Sequence, residues 1–357
     1  MREGRYGLAD RLIHWMAFHS VPIQIALADL EETLFASTLE HVPIARPVFV
    51  TSLPRCGTTL LLDLLSEQGA FATHRYSDMP FACCPMLWNL LTRWSRRRGV
   101  KRERAHGDGV LVDWDSPEGF EEILWRAFFP HHYESGRIAL WDERPPEVTF
   151  TDFLRQHMRK IIALRGPTRT PGMRYLSKNN ANIARTRWLG KAFTDATVLI
   201  PFRHPVAHIG SLRRQHKNFG DLQRRDPFAL RYMRYVGHFE FGELLKPIAF
   251  DGAPIGGVRP SSDAFEFWQA YWCSAFNHLL QHRSERIVFL DYDRLCAKPT
   301  ESLTLLAKRL DVAAEHEWLQ SAQRIRTPTT YDAAADTPDA AAQTLYERLL
   351  ANALNRG

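Results

Sequence analysis

A short apolar run, a tight turn and a leucine-rich segment follow one another near residue 50, and this order constrains the fold more than any other feature. Residues 47–53 read PVFVTSL, an apolar and β-branched run that predicts a buried strand. Thr58–Ser66 reads TTLLLDLLS, which is rich in strong helix formers. Pro54 and Gly57 lie between the two segments. The first structural unit is therefore predicted to be strand, turn and helix.

The turn in this unit carries the groups that bind an anion. A helix that starts near Thr58 and Thr59 offers backbone N–H groups, two hydroxyls and the positive end of its dipole. Gly57 permits close approach of the backbone to a ligand. Arg55 supplies several donors that suit a phosphate or sulfate group. We expect one anion site here.

The same turn differs from the ATP- and GTP-binding loop G-x-x-x-x-G-K-[ST]. In register with that loop, Ser52 occupies the first glycine position and Gly57 the second, while Thr58 stands where the lysine would be. The lysine that holds the β- and γ-phosphates is thus missing, and Arg55 lies two positions before Gly57 instead. The sequence favours an anion at the 5′ end of a nucleotide over a triphosphate.

Further strand and helix patterns alternate along the rest of the chain. Strands are predicted at 174–177, 197–202 and 286–290, and helices at 118–129, 182–193, 205–216, 264–282 and 300–310. This alternation predicts an α/β fold with a P-loop-like parallel sheet flanked by helices. The 357 residues allow one large or two smaller domains. We expect a helical lead-in at 1–45, one domain at 46–311 and an irregular tail at 312–357. A mainly helical insertion at 70–170 is expected to form the acceptor site.

These features resemble the sulfotransferases that use 3′-phosphoadenosine-5′-phosphosulfate (PAPS). Their 5′-phosphosulfate loop reads P-[KR]-[SAC]-G-T-T followed by leucines, and this chain has Pro54-Arg55-Cys56-Gly57-Thr58-Thr59. Arginine in this loop is more similar to the tyrosylprotein and bacterial branches than to the cytosolic steroid and phenol branch. The resemblance implies that Arg55 contacts the phosphosulfate and stabilises charge on the leaving bridge oxygen. It also implies that residues Cys56 to Thr59 hold the phosphate.

Three other segments extend the resemblance. Arg203-His204-Pro205, with Ser211 eight residues after the arginine, is similar to the family's 3′-phosphate motif, although His204 replaces the usual Asp. Ser177-Lys178-Asn179 resembles L-K-[SD]-P, which implies that Lys178 approaches the sulfuryl group. The strand end 288–295 resembles V-x-Y-E-D-L and implies a nucleotide contact by Tyr292. The steroid branch's R-K-G-x-x-G-D-W-K segment is absent; the tail 324–331 (RIRTPTTY) is an unassigned alternative to it.

The general base has several candidates. Sulfuryl transfer is an in-line displacement that requires a group to accept the proton of the attacking hydroxyl. In related branches a carboxylate follows the first helix, and Asp78 and His74 are the first and second candidates in that region. His106 and an acidic segment at 113–122 are the alternatives. That segment carries Asp113, Asp115, Glu118, Glu121 and Glu122, and a solvated helix start would equally explain its charges.

Composition restricts the partners. The net charge of +6, from 46 basic and 40 acidic residues, suits an anionic ligand. No nucleic-acid-binding motif accompanies the basic stretch 93–104, so nucleic acid is not expected. The five cysteines lack a C-x-x-C pair, and no metal is expected. The N-terminus lacks the pattern of a signal peptide, so a cytoplasmic location is expected. Residues 12–28 predict an amphipathic docking helix, with peripheral membrane contact as the alternative; a homodimer is also allowed.

The sequence thus predicts an enzyme that moves the sulfuryl group of PAPS to a hydroxyl or amine of an acceptor. Small molecules, carbohydrates and lipids are all open as acceptors. Two alternatives stay open on sequence grounds. One is a noncatalytic anion- or glycan-binding protein, and the other is a P-loop nucleotide kinase or NTPase.

Overall fold

The strand predicted before the polar turn lies in the middle of a five-stranded sheet. The computed structural model of the chain describes residues 8–19, 21–92, 102–103, 111–134, 136–141, 146–166, 172–254, 262, 264–326 and 338–356. The strands are β1 (Val48–Val50), β2 (Phe71–Ala72), β3 (Arg102–Glu103), β4 (Leu111–Val112), β5 (Arg174–Lys178), β6 (Thr197–Phe202) and β7 (Ile287–Asp291). The main sheet has the order β2-β5-β1-β6-β7, and all its pairings are parallel.

Helices connect these strands and cover the sheet. They are α1 (Leu8–His19), α2 (Val21–Leu34), α3 (Ala36–Leu39), α4 (Thr58–Ser66), α5 (Pro85–Thr92), α6 (Glu122–Phe128), α7 (Val148–Arg165), α8 (Thr186–Ala192), α9 (Pro205–Arg225), α10 (Pro227–Val236), α11 (Phe265–Gln281), α12 (Tyr292–Ala297), α13 (Pro299–Leu310), α14 (His316–Gln320) and α15 (Ala340–Leu350). Strands joined by helices on both faces of a parallel sheet confirm the predicted α/β class.

The sheet separates two hydrophobic cores. Successive side chains of a strand point to opposite faces, so Phe49 packs into one core while Val48 and Val50 pack into the other. The larger core contains the buried indoles of Trp125, Trp268 and other aromatic side chains, and the smaller contains the leucines of α4 and α13. Because β1 is buried on both faces, its residues form a continuous apolar run, and this run allowed the strand to be predicted from the sequence.

Several predicted elements have different bounds in the structure. The helix predicted at 182–193 is split into a 3₁₀ turn, Asn180–Ala184, and α8. Helix α9 continues nine residues past the predicted end, to Arg225. The stretch at 70–170 contributes β2, an edge strand of the main sheet, in addition to its helices. The C-terminal tail contains α14 and α15, which is more regular than the sequence suggested.

The C-terminus is tied to the end of β7. Asn355 donates from Nδ2 to the carbonyl oxygen of Asp291 (2.9 Å) and accepts from its amide at Oδ1 (3.0 Å). Arg356 donates from Nε to the fully buried Asp291 carboxylate at 2.7 Å. These bonds fix the strand end that leads into Tyr292. In the part of the chain that the structure describes, no helix combines the length and apolarity needed to cross a membrane.

Candidate active site

The loop between β1 and α4 has an unusual backbone. Arg55 has φ of 71° and Gly57 has φ of 95°, both in the left-handed region. Such a conformation is costly for arginine and is found where function demands it. A Cβ on Gly57 would also lie 2.3 Å from the ring of Tyr292. Glycine is therefore required here by both conformation and space, which explains its position in the motif.

Helix α4 begins directly after this loop without a side-chain cap. Its N-cap is Gly57, which has no side chain to accept from the first N–H groups of the helix. Thr58 donates from Oγ1 to Oδ1 of Asn180 at 3.1 Å, which fixes the first turn. Cys56 is fully buried, with Sγ 2.8 Å from the carbonyl oxygen of Leu53. Burial raises the pKa of this thiol to about 12, so Cys56 can offer its backbone to a ligand but not a thiolate.

The register of the sheet brings Lys178 to the same edge. Val50 is the register partner of Lys178, so the last residue of β5 lies beside the point where β1 enters the loop. The amide of Asn179 donates to the carbonyl oxygen of Val50 at 3.0 Å and holds this alignment. A Cβ on Gly119 would lie 2.2 Å from the carbonyl oxygen of Lys178 and 3.0 Å from its Cδ. The aliphatic stem of Lys178 is therefore packed closely against Gly119.

Arg203 and Ser211 approach the loop from the other side. Arg203 directly follows β6, and its Nη1 donates to the carbonyl oxygen of Arg55 at 3.4 Å. Ser211, on α9, accepts from Nε of Arg55 at 3.4 Å. The guanidinium of Arg203 lies 5.4 Å from the ring centroid of Tyr292, within cation–π range. Sequence reasoning placed all four residues in one site, and the structure brings them together.

The arrangement fits an anionic nucleotide. Nε of Arg203 is buried and has no hydrogen-bond partner among the described residues, and the carboxylate of Asp293 is 3.7 Å away. The uncapped start of α4 provides N–H donors, while Lys178 and Arg55 add cations from two sides. The ring of Tyr292 completes the wall. We call the set Arg55, Gly57, Thr58, Lys178, Arg203 and Ser211 the anion cradle. Thr59, half-buried in the first turn of α4, adds its amide to this end.

Asp78 and His74, the two sequence candidates for the base, lie in a different environment. Asp78 has no exposed surface; it forms an ion pair with Arg165 and accepts from Nδ2 of Asn89 at 3.1 Å. His74 is 2% exposed, and its Nε2 is 2.9 Å from Nε2 of His157. Nδ1 of His74 lies 3.5 Å from the Asp78 carboxylate. We call His74, Asp78, His157 and Arg165 the buried ion cluster.

The buried ion cluster argues against these two residues as the base. Although burial raises the pKa of the Asp78 carboxyl, the hydrogen bond of His74 and the charge of Arg165 outweigh it and lower that pKa strongly. Burial together with the charge of His74 also lowers the pKa of His157 well below its ordinary value. A fully enclosed carboxylate cannot reach an acceptor hydroxyl. The burial of both residues therefore weighs against a role as general base, and the identity of the base stays a prediction.

The acidic segment is also committed to internal contacts. Glu122 pairs with Arg185 at 3.0 Å, and Glu121 accepts from Nδ2 of Asn182 at 2.9 Å. Glu118 accepts from the hydroxyl of Tyr76 at 2.7 Å. All three glutamates are buried. Sequence reasoning gave a helix start as the alternative explanation, and α6 does begin at Glu122 with Glu121 as its N-cap; the structure adds a buried polar network around these residues. His106 and most of the basic stretch 93–104 lie outside the described residues.

A carboxylate that sequence reasoning missed lies beside the anion cradle. Glu240 accepts from Nδ2 of Asn180 at 3.3 Å and lies 3.4 Å from Nδ1 of His238. Its side chain is 24% exposed. Burial on its own raises the pKa of this carboxyl, but His238 and the Lys178 ammonium lower it to about 2. Glu240 is therefore ionised at neutral pH. No motif marks it, because its partner Asn180 is 60 residues away in sequence.

Glu240 lines an apolar pocket that adjoins the loop. Pro54 and Asn180 form the side of the pocket nearest the cradle, while Phe239, Trp268 and Tyr271 are among the aromatic walls. Of the lining residues that the structure describes, Ile138 alone comes from residues 70–170. This pocket is built mainly by residues 180–183, 237–248 and 268–271, and the expectation that residues 70–170 form the acceptor site stays a prediction.

Comparisons with known proteins support one assignment. The model of the sulfotransferase family matches residues 47–238, more than half of the chain. The sulfotransferase STF9 from Mycobacterium avium superposes with a TM-score of 0.52 at 15% identity, covering 91% of this chain and 80% of that chain. Sulfotransferase STF1 from Mycobacterium tuberculosis H37Rv gives a TM-score of 0.46 at 16% identity, covering 90% and 81%. No curated protein matches the chain by sequence.

The matched residues contain the whole of the anion cradle, from Arg55 to Ser211. Superposition on STF9 shows the same fold across most of both chains. Sequence motif, sheet topology and family model thus agree, and they exclude the kinase and binding-protein alternatives as descriptions of the family. The chain belongs to the sulfotransferase family, the PAPS-dependent transferases of sulfuryl groups.

Proposed function

We propose that this enzyme transfers the sulfuryl group of PAPS to an acceptor hydroxyl or amine, with the anion cradle as its donor site. PAPS supplies an activated sulfuryl group together with phosphates at the 5′ and 3′ positions. The observation that carries the proposal is the convergence of Arg55, Lys178 and Arg203 at the carboxyl edge of three adjacent strands. Ligands of open α/β sheets bind at this edge.

Each cation has a separate task in the proposal. Arg55, held in its left-handed conformation, faces the 5′-phosphosulfate and neutralises charge on the bridge oxygen as the bond to sulfur breaks. Lys178 neutralises the sulfuryl oxygens from the β5 side. The backbone of Cys56, Gly57 and Thr58, with Thr59, holds the 5′-phosphate. No metal is needed, because these groups supply the positive charge.

The second half of the donor site binds the 3′-phosphate. Arg203 offers its Nε, which makes no hydrogen bond to the described residues and has the Asp293 carboxylate 3.7 Å away, and Ser211 adds a hydroxyl from α9. Tyr292 stacks under the guanidinium of Arg203 and packs against Gly57, so it links the two ends of the site. The bonds of Asn355 and Arg356 to Asp291 hold Tyr292 in place.

Glu240 is the proposed general base. It is the carboxylate that both lines the apolar pocket and lies near Lys178. Its low pKa makes it a weak base toward a free hydroxyl. A hydroxyl that is forming a bond to sulfur becomes far more acidic, so an ionised carboxylate can accept its proton late in the displacement. His238 orients Glu240 through their 3.4 Å contact.

The acceptor and the surroundings of the enzyme stay predictions. The apolar pocket beside Glu240 has a volume of about 30 Å³, which is room for about one water molecule. The body of an acceptor whose hydroxyl reaches Glu240 is therefore expected to lie outside this pocket. All five cysteines are free thiols, which supports the predicted cytoplasmic location. Peripheral membrane contact, a homodimer and the absence of nucleic-acid partners also stay predictions.

A thermal-shift comparison tests the proposed donor. Adenosine 3′,5′-bisphosphate is expected to raise the melting temperature, whereas ATP with Mg²⁺ raises it much less, because the lysine of the triphosphate loop is missing. Adenosine 5′-monophosphate, which lacks the 3′-phosphate, is the matched control and should give an intermediate shift. An equal or larger shift with ATP would overturn the donor assignment.

A further inference from the structure

The amide side chain of Asn180 connects the start of α4 with the proposed base. Oγ1 of Thr58 lies 3.1 Å from Oδ1 of Asn180, and Nδ2 of the same amide lies 3.3 Å from Oε1 of Glu240. Thr58 and Asn180 are both buried. Because α4 begins at Thr58, this chain of hydrogen bonds runs from the anion cradle to the carboxylate. We call it the Asn180 bridge.

The main chain of Asn180 is fixed at the edge of the sheet. Its carbonyl oxygen accepts from Oγ1 of Thr51 at 3.2 Å, and Thr51 directly follows β1 and is fully buried. The amide of the preceding residue, Asn179, donates to the carbonyl oxygen of Val50 at 3.0 Å. Glu240, in contrast, lies in the loop that follows α10. The Asn180 bridge therefore ties a carboxylate of a loop to the strand end that carries the anion cradle.

The charge of Glu240 fixes the direction of the hydrogen bonds in the Asn180 bridge. An ionised carboxylate can only accept, so the amide turns its Nδ2 toward Glu240 and its Oδ1 toward Thr58. Because an amide oxygen also can only accept, the Thr58 hydroxyl must donate its one proton to Asn180. A hydroxyl whose proton is used in this way presents only lone pairs to a phosphate. Thr58 is therefore expected to hold the 5′-phosphate through its backbone amide alone.

Three titratable groups face Glu240 besides the neutral amide of Asn180. Burial raises the pKa of the Glu240 carboxyl, and His238 and Lys178 lower it. Burial also raises the pKa of Tyr271, and the charge of Glu240 adds to this effect. The two cationic groups thus keep the carboxylate ionised, while the hydrogen bond from Asn180 mainly fixes where the carboxylate lies.

Asn180 stands where the motif L-K-[SD]-P has its proline, counted in register from Lys178. A proline side chain can neither donate nor accept a hydrogen bond, so the bridge depends on a residue in which this chain departs from the motif. We propose that Asn180 is a positioning residue that holds Glu240 beside the donor site, and that the Thr58 hydroxyl holds Asn180 and does not bind the 5′-phosphate. The role of Glu240 rests on the proposed function, whereas the claim about the Thr58 hydroxyl is tested by binding alone.

Calorimetric titration with adenosine 3′,5′-bisphosphate tests the claim about Thr58. Thr58→Val keeps the shape of the side chain and removes the hydroxyl, so the affinity should stay within about twofold of wild type. Thr58→Ser, which keeps the hydroxyl, is the matched control and should bind equally well. Binding that is about tenfold weaker in Thr58→Val but not in Thr58→Ser would place the hydroxyl on the phosphate and overturn the inference.

Hydrolysis of PAPS, in which water takes the place of the acceptor, tests the positioning role. Asn180→Ala removes both hydrogen bonds, so kcat should fall about tenfold while the bisphosphate affinity stays that of wild type. Thr58→Val should lower kcat about fivefold, because the amide loses one of its two partners. Asn277→Ala, a half-buried asparagine of α11 that contacts Arg348, is the matched control and should keep the wild-type kcat. An unchanged kcat in Asn180→Ala would contradict the positioning role.

Asn180→Asp gives a readout that a purely structural role would not change. The new side chain still accepts from Thr58 but places a second carboxylate next to Glu240, so the pKa of Glu240 should rise by at least about one unit. Carbon-13 NMR of glutamate-labelled protein measures this pKa, with Glu240→Gln to assign the signal. An unchanged pKa would mean that the amide does not face Glu240 and would overturn the inference. Failure of the base assignment would appear separately, as wild-type PAPS hydrolysis in Glu240→Gln with the pKa shift intact.

Discussion

The anion cradle and the buried ion cluster are both built from charged side chains, but the charges have opposite roles in the two places. In the cluster, the Asp78 carboxylate is enclosed by Arg165, His74, Asn89 and the amide of Arg75. In the cradle, three cations follow the ends of three adjacent strands, and Arg203 has a loose ion pair with Asp293 at 3.7 Å.

The difference shows how a fold reserves charge for a ligand. Buried charges that satisfy each other contribute to stability and are costly to separate. Cations gathered at one edge of a sheet repel one another and gain interaction energy when an external anion arrives. Arg55 adds strain to this arrangement through its left-handed backbone. The anion cradle is therefore expected to bind a ligand, whereas the buried ion cluster stabilises the fold. Substitutions in the two places should affect different properties: activity and nucleotide affinity in the first, and the free energy of unfolding in the second.

The largest effect is expected at Arg55. Arg55→Ala removes the cation that neutralises the bridge oxygen, so kcat/KM should fall on the order of 10³-fold, or about 4 kcal/mol. The melting temperature should stay close to that of wild type, because Arg55 is half-buried in a strained turn. Steady-state transfer of labelled sulfate and a thermal melt measure the two quantities. Near wild-type turnover would remove Arg55 from the mechanism.

Asp78 should show the reverse pattern. Asp78→Asn leaves Arg165 in the interior, with 6% of its side chain exposed and no carboxylate partner from this position. Its free energy of unfolding should fall by about 3 kcal/mol at pH 7. Urea titration measures the loss, while the affinity for adenosine 3′,5′-bisphosphate should be that of wild type. A stable variant with reduced turnover would instead return Asp78 to the catalytic site.

Glu240 lies between these two cases, because it contacts His238 and Asn180 but keeps part of its side chain exposed to solvent. Glu240→Gln keeps the shape and the contact with Asn180 but cannot accept a proton, so kcat should fall on the order of 10²-fold, about 2.7 kcal/mol. Bisphosphate affinity should not decrease. The matched control is Glu243→Gln, three residues away, which changes an exposed carboxylate paired with Arg224. Equal kcat values for the two variants would dismiss Glu240 as the base.

The smallest effect concerns acid pH. The folded-state pKa of Asp78 lies below its unfolded value of roughly 3.9. Its stabilisation is therefore complete well above that value and declines as the pH falls toward the folded pKa. Between pH 7 and pH 3 the stability gap between wild type and Asp78→Asn should narrow by about 1 kcal/mol. Urea titrations at the two pH values give the gap, and a constant gap would mean that Asp78 is not held ionised.

Local features of the fold and the cradle were predictable from sequence, and long-range ones were not. The bounds of α4 coincide with the predicted Thr58–Ser66. The features that determine this helix, an apolar strand, a turn with glycine and a run of leucines, all lie within about twenty residues of sequence. The position of Lys178 in the site was predicted from a motif, and the parallel pairing of β1 with β5 puts it beside Val50. The enclosure of Asp78 was not predictable, because its partner Arg165 is 87 residues away. Glu240 was missed for the same reason, since tertiary contacts alone make it distinctive.

The aromatic side chains of residues 70–170 show a related limit of sequence composition. Residues 70–170 look like acceptor walls because they are rich in aromatic and basic side chains. In the structure many of those aromatic rings enter the larger core, where Trp125 packs against Phe150 and Trp188. Sequence composition does not reveal whether an aromatic side chain faces a core or a pocket, because both are apolar.

The most direct test of the central claim is one calorimetric experiment with adenosine 3′,5′-bisphosphate on wild type, Arg203→Ala and Asp78→Asn. If the cradle holds charge for a nucleotide and the cluster holds charge for the fold, Arg203→Ala should bind at least thirtyfold more weakly, a loss of roughly 2 kcal/mol. Asp78→Asn should bind with the affinity of wild type at a temperature where it is folded. Equal affinities in wild type and Arg203→Ala, or a selective loss in Asp78→Asn, would contradict the account.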